Sequence, residues 1–443
     1  MKISLSDHFT YKKLFKFTLP SILMMIFTSI YGVVDGFFVS NTVGKDAFVG
    51  VNLIMPFIII LGTLGFMFGS GGSALVSKTM GEGKDEKAGK IFSLLIYFSA
   101  ALAVLLAVLA FIFMRKVAEL LGASEDIIDY CVTYGRILVL ALPFYSLQME
   151  FHTFTMTAER PMLGFATTIA AGLTNIILDA LLMGVFHLGI AGAAIATAIS
   201  QTIGGVIPLI YFIRPNSSRL QLGKTEWDAH AIIKTCTNGC SEFVGNISGS
   251  ITAMLYNFQL LKYAGESGVA AYGVLMYVNM VFIAIFIGYY NGTSPIVGYH
   301  YGAGNKDELK NLLRKAFIIT VSVGAVMLIL AYVLASPLAH IFVGSSEELT
   351  EFTKRAFSIF AISFPFCGIA IMGSGFFTSL NNGFISAVIS FLRTVVFQIA
   401  AVMILPIFMG SDGIWTSIVA TEFMAATLSI AFLIAKRKQY EYF

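Results

Sequence analysis

Apolar stretches of roughly twenty or more residues recur along the whole 443-residue chain, and no other feature restricts its fold so severely. They fall at about 15–39, 48–77, 91–114, 127–157, 162–186, 190–213, 234–261, 268–298, 315–335, 352–379, 383–408 and 413–435. Each of the twelve is long enough to cross the hydrocarbon layer as a helix. The runs are continuously apolar, not alternating, which argues against a membrane barrel. With 57% hydrophobic and 12% charged residues, the chain holds more apolar surface than a water-soluble core could hide. The expected class is an all-α integral membrane protein. The polar start, up to Lys16, runs into an apolar stretch too long for a signal peptide and is read as leading into the first span.

Lysine and arginine set the orientation. With the N-terminus inside, the inner segments and inner helix ends hold 21 of them, counting Lys2, and the outer segments hold six. Both termini are therefore expected in the cytoplasm, in a multi-pass protein of the cell membrane. Net charge is only +3 and no basic tract is interleaved with aromatics, so nucleic acid is not an expected partner. The four cysteines, Cys131, Cys236, Cys240 and Cys367, lack the companions of a zinc site. No phosphate-binding glycine loop appears, so ATP-driven transport by this chain alone is unsupported.

The halves repeat at an offset of 221 residues: Gly44 with Gly265, Gly71 with Gly292, Ser73 with Ser294, Gly81 with Gly302, Gly83 with Gly304 and Gly192 with Gly413. At 222, Pro143-Phe144 matches Pro365-Phe366. Six spans per half is an even number, so the halves share one orientation about an axis along the membrane normal. The expected organisation is a first six-helix lobe over 1–213, a polar cytoplasmic connector over 214–233, and a second six-helix lobe over 234–443. Such a pair of lobes around a cavity is a transporter architecture.

Ionisable side chains inside spans are costly and mark function. Asp35 lies in the outer part of the first span, with Tyr31 one turn earlier on the same face. The fifth span carries Asn175 and Asp179, again four apart, with Asp179 roughly 25 Å along the helix from its inner end. Thr197, in the sixth span, falls at similar depth. Two carboxylates away from water cannot both stay ionised cheaply, so this set favours H⁺ or a bound Na⁺. Pro20 removes a backbone bond in the first span and offers a place to bend. In the second half, Glu242 is a candidate for a cavity carboxylate, and Arg393 with Glu422 for a static ion pair. Glu150 is read as either a cavity residue or an inner-surface anchor, the latter preferred, and His300 as interfacial. The 40 Phe, 18 Tyr and 19 Met residues supply faces for flat, cationic compounds, although most are expected to pack helices or meet lipid.

These residues together resemble the multidrug and toxic compound extrusion family over essentially the full length. The resemblance rests on Pro20 with Tyr31-x-x-x-Asp35, on Asn175-x-x-x-Asp179 followed by Thr197, and on Val297-Gly298-Tyr299-His300-Tyr301-Gly302-Ala303-Gly304-Asn305. It implies an antiporter that expels cationic or amphipathic compounds in exchange for H⁺ or Na⁺, with a V-shaped cavity between the lobes. It also implies a first-lobe cation site at Asp35, Asn175, Asp179 and Thr197, and no organic cofactor; a monomer is expected. Other members pair a glutamate of helix 7 with an aspartate of helix 10. Glu242 matches the first, but Cys367 to Ser374 contains no carboxylate. A lipid-linked-sugar flippase of related fold is the alternative, opposed by twelve spans and acidic first-lobe residues. A major-facilitator transporter lacks support, since no Gly-Arg-rich loop follows span two, and no residue pattern suggests an enzyme.

Overall fold

The structure is a computed structural model that describes residues 3–343 and 347–442; Lys2, counted above among the inner charges, lies outside them. The first lobe holds α1 (Tyr11–Thr42), α2 (Lys45–Gly81), α3 (Asp85–Leu120), α4 (Glu125–Thr157), α5 (Pro161–Asp179, prolonged by a π-helical turn, Ala180–Val185) and α6 (Gly189–Ile213). In the second lobe, α7 and α8 form one rod, Ala229–Gly302, broken at Gly265 where φ is 61° and ψ is −155°. Only glycine takes that conformation cheaply, so the break falls where the repeat places a turn. Next come α9 (Lys306–Val343) and α10, two pieces (Glu347–Ala361 and Phe364–Ser379) bent by 44°. The last two are α11 (Gly383–Phe391, a π turn at Leu392–Phe397, then Gln398–Met409) and α12 (Ser411–Tyr440).

Taking the broken rod as two spans and the bent pair as one gives twelve spans among the described residues, as the apolar runs predict. Large side chains such as Leu140, Ile177, Val333 and Phe408 stand 62–79% exposed along these helices. That is natural only where the solvent is lipid.

Backbone geometry repeats with the sequence. Positive φ occurs at Gly44 and Gly265, at Gly83 and Gly304, at Gly189 and Gly410, and at Glu159 and Asn381. The lobe contacts are also reciprocal: a Cβ on Gly81 would stand 1.9 Å from the Tyr299 carbonyl oxygen, and one on Gly302 would stand 2.0 Å from that of Lys78. Here α2 and α8 pass backbone to backbone, which any side chain would prevent.

The core divides in a telling way. One buried apolar cluster joins both lobes, bringing together Phe68, Phe154, Ile296, Phe377 and Leu433 with Leu5 and Phe9 of the N-terminal segment. Two further clusters belong each to one lobe, around Tyr134 in the first and around Trp415 in the second. The joint cluster lies at the Lys/Arg-rich ends of α2 and α8, and the separate ones lie toward the opposite face. A Cβ on Gly36 or Gly249, nearer the opposite ends, would meet nothing within 4 Å among the described residues. The lobes therefore join at the Lys/Arg-rich ends, expected to be the inner side, and part toward the opposite face.

Polar contacts fasten the inner side. Ser4 Oγ and Leu5 N donate to Glu159 Oε1 at 2.6 and 3.0 Å, while His8 Nδ1 and Phe9 N meet the Glu308 carboxylate at 2.5 and 2.9 Å. One short segment is thus held by a glutamate from each lobe. His300 is buried at 2% exposure close to this segment. The connector between α6 and α7 is pinned to α3: Gly223 N donates to Ser93 Oγ, Thr225 Oγ1 to the Lys90 carbonyl, and Arg219 to Asp85 at 2.6 Å.

Candidate cation site and cavity

Three helices bring the first-lobe residues together. Helix α1 carries Tyr31 and Asp35, α5 ends on Asp179 with Asn175 one turn before, and α6 supplies Thr197. Asp35 interacts with both the Asp179 carboxyl group and the Thr197 hydroxyl. Asn175 Nδ2 donates to Thr197 Oγ1 at 3.4 Å. Asp179 and Asn175 are 0% and 1% exposed, while Asp35 and Tyr31 are half-buried. Asp179 directly precedes the π turn, a distortion that often marks functional positions.

Asp35 Oδ1, both Asp179 oxygens and Asn175 Oδ1 are sealed from solvent and accept no hydrogen bond. Among the described residues no Lys, Arg or His forms an ion pair with either aspartate. Buried acceptors without donors are strongly unfavourable. Four such oxygens in one place suit a proton shared between carboxyls or a small hard cation, for which oxygen donors are the fitting ligands. Among the described residues no cluster of three or more His, Cys, Asp or Glu is placed to hold a metal ion.

Sequence reasoning did not select Gln148 or Tyr134. Gln148 and Tyr134 are 2% and 0% exposed, and neither polar atom of the Gln148 amide has a hydrogen-bond partner among the described residues. Both come from α4, far from Asp35 in sequence, and neither is ionised in a way that makes it stand out in an apolar run. Pro20 is buried inside α1, which runs from Tyr11 to Thr42 as one helix. Glu150 is 0% exposed inside the first lobe, not at the inner surface; Ser146 Oγ donates to its Oε1 at 3.3 Å and its Oε2 has no partner. It does not join Asp35 and Asp179.

The second lobe encloses a cavity of about 350 Å³, lined by Glu242, Asn246, Tyr290, Arg393 and Glu422 among others. Arg393 Nε donates to both Glu422 oxygens at 3.1 and 3.0 Å, and Nη2 donates to Oε1 at 2.8 Å. The Arg393–Glu422 pair expected from the sequence forms, while Glu242 stands beside it without an ion pair of its own.

Twelve helices in two repeated lobes, with bare carboxyls inside one and a polar cavity inside the other, define a two-lobed membrane transporter. The profile of the MatE family matches residues 20–181 and again residues 243–404, once in each lobe. The chain belongs to this family, the multidrug and toxic compound extrusion transporters. It is similar to the multidrug export protein MepA of Staphylococcus saprophyticus, 24% identical over 430 residues covering 96% of this chain and 94% of that one. MepA of Staphylococcus aureus strain MRSA252 is 25% identical over 435 residues, covering 96% and 94%. Among solved structures, an outward-facing multidrug resistance MATE transporter of the MOP superfamily superposes with a TM-score of 0.92 at 18% identity, covering 97% of this chain and 96% of that one. A mutant of the Vibrio cholerae MATE transporter VcmN gives 0.88 at 20%, covering 97% and 98%. At these identities the structural matches speak to the fold.

Proposed function

We propose that this protein is a secondary antiporter of the cell membrane, with both termini in the cytoplasm, that exports cationic or amphipathic organic compounds in exchange for H⁺ or Na⁺. The observation that carries the reading is the set of sealed, donor-free oxygens on Asp35, Asp179 and Asn175. A site of this kind gains much from taking up one positive charge and little from staying bare. The name of the MepA relatives, multidrug export proteins, supports export and broad substrate choice.

Coupling follows from what α1 touches. Its outer half carries Asp35. Its middle lies on α8 across the lobe boundary, where Ser29 Oγ donates to the Met280 carbonyl at 3.3 Å and the Gly288 position abuts Ser21 and Ile22. Loading a proton or Na⁺ lets α1, α5 and α6 draw together; unloading leaves two carboxylates to repel each other. Either change shifts a helix that also forms the lobe interface, which biases the outward arrangement against the inward one. Glu242 and the second-lobe cavity receive the organic compound, and the protein works as a monomer.

The test is movement of an ethidium-like dye in proteoliposomes with pH and Na⁺ gradients imposed separately. One gradient should drive the dye. If the dye ignores both, antiport is rejected.

A further inference from the structure

The second-lobe cavity has a specific charge pattern. Glu422 is neutralised by Arg393 through three hydrogen bonds, and Arg393 Nη2 also points at Cys367 Sγ at 3.4 Å. That leaves Nη1 of Arg393 with no partner on a residue that lines the cavity. Glu242 also lines it; among the described residues its carboxylate forms no hydrogen bond or ion pair, and Arg393 is the charged group acting on it. With Glu242 ionised, the cavity carries one uncompensated negative charge and, beside it, a cationic donor whose own charge is already cancelled. Tyr272, Tyr290 and Met276 complete the lining with aromatic and thioether surface.

We propose that this cavity selects organic monocations that also carry a neutral hydrogen-bond acceptor, a carbonyl above all. The ammonium pairs with Glu242, the carbonyl accepts from Arg393 Nη1, and the apolar body rests on the tyrosines. The charge balance decides the class. A monocation brings the cavity to neutrality. A carboxylate on Arg393 leaves two anions sharing one guanidinium, and a dication leaves an excess positive charge in a low-dielectric site. Glu422 is then a positioning residue: it fixes the guanidinium and cancels its charge, so that Arg393 donates to a ligand without repelling its ammonium. The size is right, since cavities for drug-like ligands begin near about 300 Å³. This proposal rests on the reading of the chain as a transporter of small organic cations, but it concerns binding and not coupling.

Two probes test it by isothermal titration of the full chain in nanodiscs. One is a phenyl ketone linked through three methylenes to a dimethylammonium group; the other has the ketone replaced by a methylene. The ketone should bind at least about tenfold tighter, the value of a hydrogen bond to a charged donor. Glu242→Gln should weaken both probes by a similar factor. Glu422→Gln should weaken both by unmasking Arg393. The double variant Arg393→Gln/Glu422→Gln, which removes the pair without leaving a lone charge, should restore the amine probe and bring the ratio between probes close to one. Failure of both probes to bind, an unchanged ratio in the double variant, or binding lost with Asp35→Asn but untouched by Glu242→Gln overturns the assignment. A chain that binds in the expected pattern but moves no dye under either gradient upholds this site and rejects antiport.

Discussion

The two lobes share a backbone plan and divide the chemistry between them. At the repeat offset of 221, Asp35 falls on Tyr256, Thr197 on Ile418 and Asp179 on Ala400. Where the first lobe leaves carboxyl oxygens bare, the second has a closed neutral network: the Tyr256 hydroxyl pairs with Ser417 Oγ at 2.7 Å and accepts from Gln398 Nε2 at 3.0 Å. The reverse holds for the other charges. Glu242, Arg393 and Glu422 fall at the same offset on Ser21, Gly172 and Gln201, which are small or uncharged. Glycines at the lobe crossing and left-handed turns recur because they set backbone geometry. The ionisable groups inside the spans do not recur, because they set no backbone geometry.

The sharpest break of this contrast is Asp35→Asn or Asp179→Asn. Each should abolish gradient-driven dye movement in proteoliposomes while the protein still purifies folded; wild-type export by either variant would erase the distinction between the lobes. Next is Arg393→Gln alone. It leaves Glu422 buried without its cation and should lower unfolding stability by about 3 kcal/mol, a loss the further change Glu422→Gln largely recovers. Thermal unfolding in detergent checks this, and equal Tm values for the single and double variants would show that the pair is not stabilising. Tyr256→Phe should cost about 1 kcal/mol, since Gln398 and Ser417 lose a partner, and should leave dye movement coupled. Loss of coupling in that variant would place a working site in the second lobe as well.

The smallest difference lies at the inner loops. Glu82 pairs with Lys84 at 2.8 Å and Lys78 at 3.7 Å, and its repeat counterpart is Ala303. The Lys84 hydrogen bond holds the Glu82 carboxyl below its ordinary range. Its contribution to stability is thus present near neutral pH and lost as the medium acidifies past that carboxyl. Because the pair is largely in water, Glu82→Gln should change stability by at most about 0.5 kcal/mol. A larger shift in unfolding midpoint would show that this loop is tied to the lobe contact.

Much of this could be read before any coordinates. The twelve spans follow from apolar length, and the left-handed Gly265 and Gly410 stand where the repeat puts Gly44 and Gly189. The common depth of Asp35, Asn175, Asp179 and Thr197 follows from counting turns. Glu150 shows the limit: read as a cavity residue or, in preference, an inner-surface anchor, it is completely enclosed by protein. Gln148 and Tyr134 show another, since a polar residue on α4 gives no sign in sequence of which distant helices will bury it.

Sequence by itself determined that the chain spans a membrane twelve times, in two like halves, because hydrophobic length and repeat spacing act locally along the chain. Only tertiary structure decided which ionisable groups have partners. Arg393 meets Glu422, Asp35 meets another carboxyl and no cation, and a segment of seven residues or fewer clasps both lobes through Glu159 and Glu308. The reason is physical: the energy of a buried charge depends on what stands within a few ångströms of it, and in a helical bundle those neighbours come from distant stretches of chain.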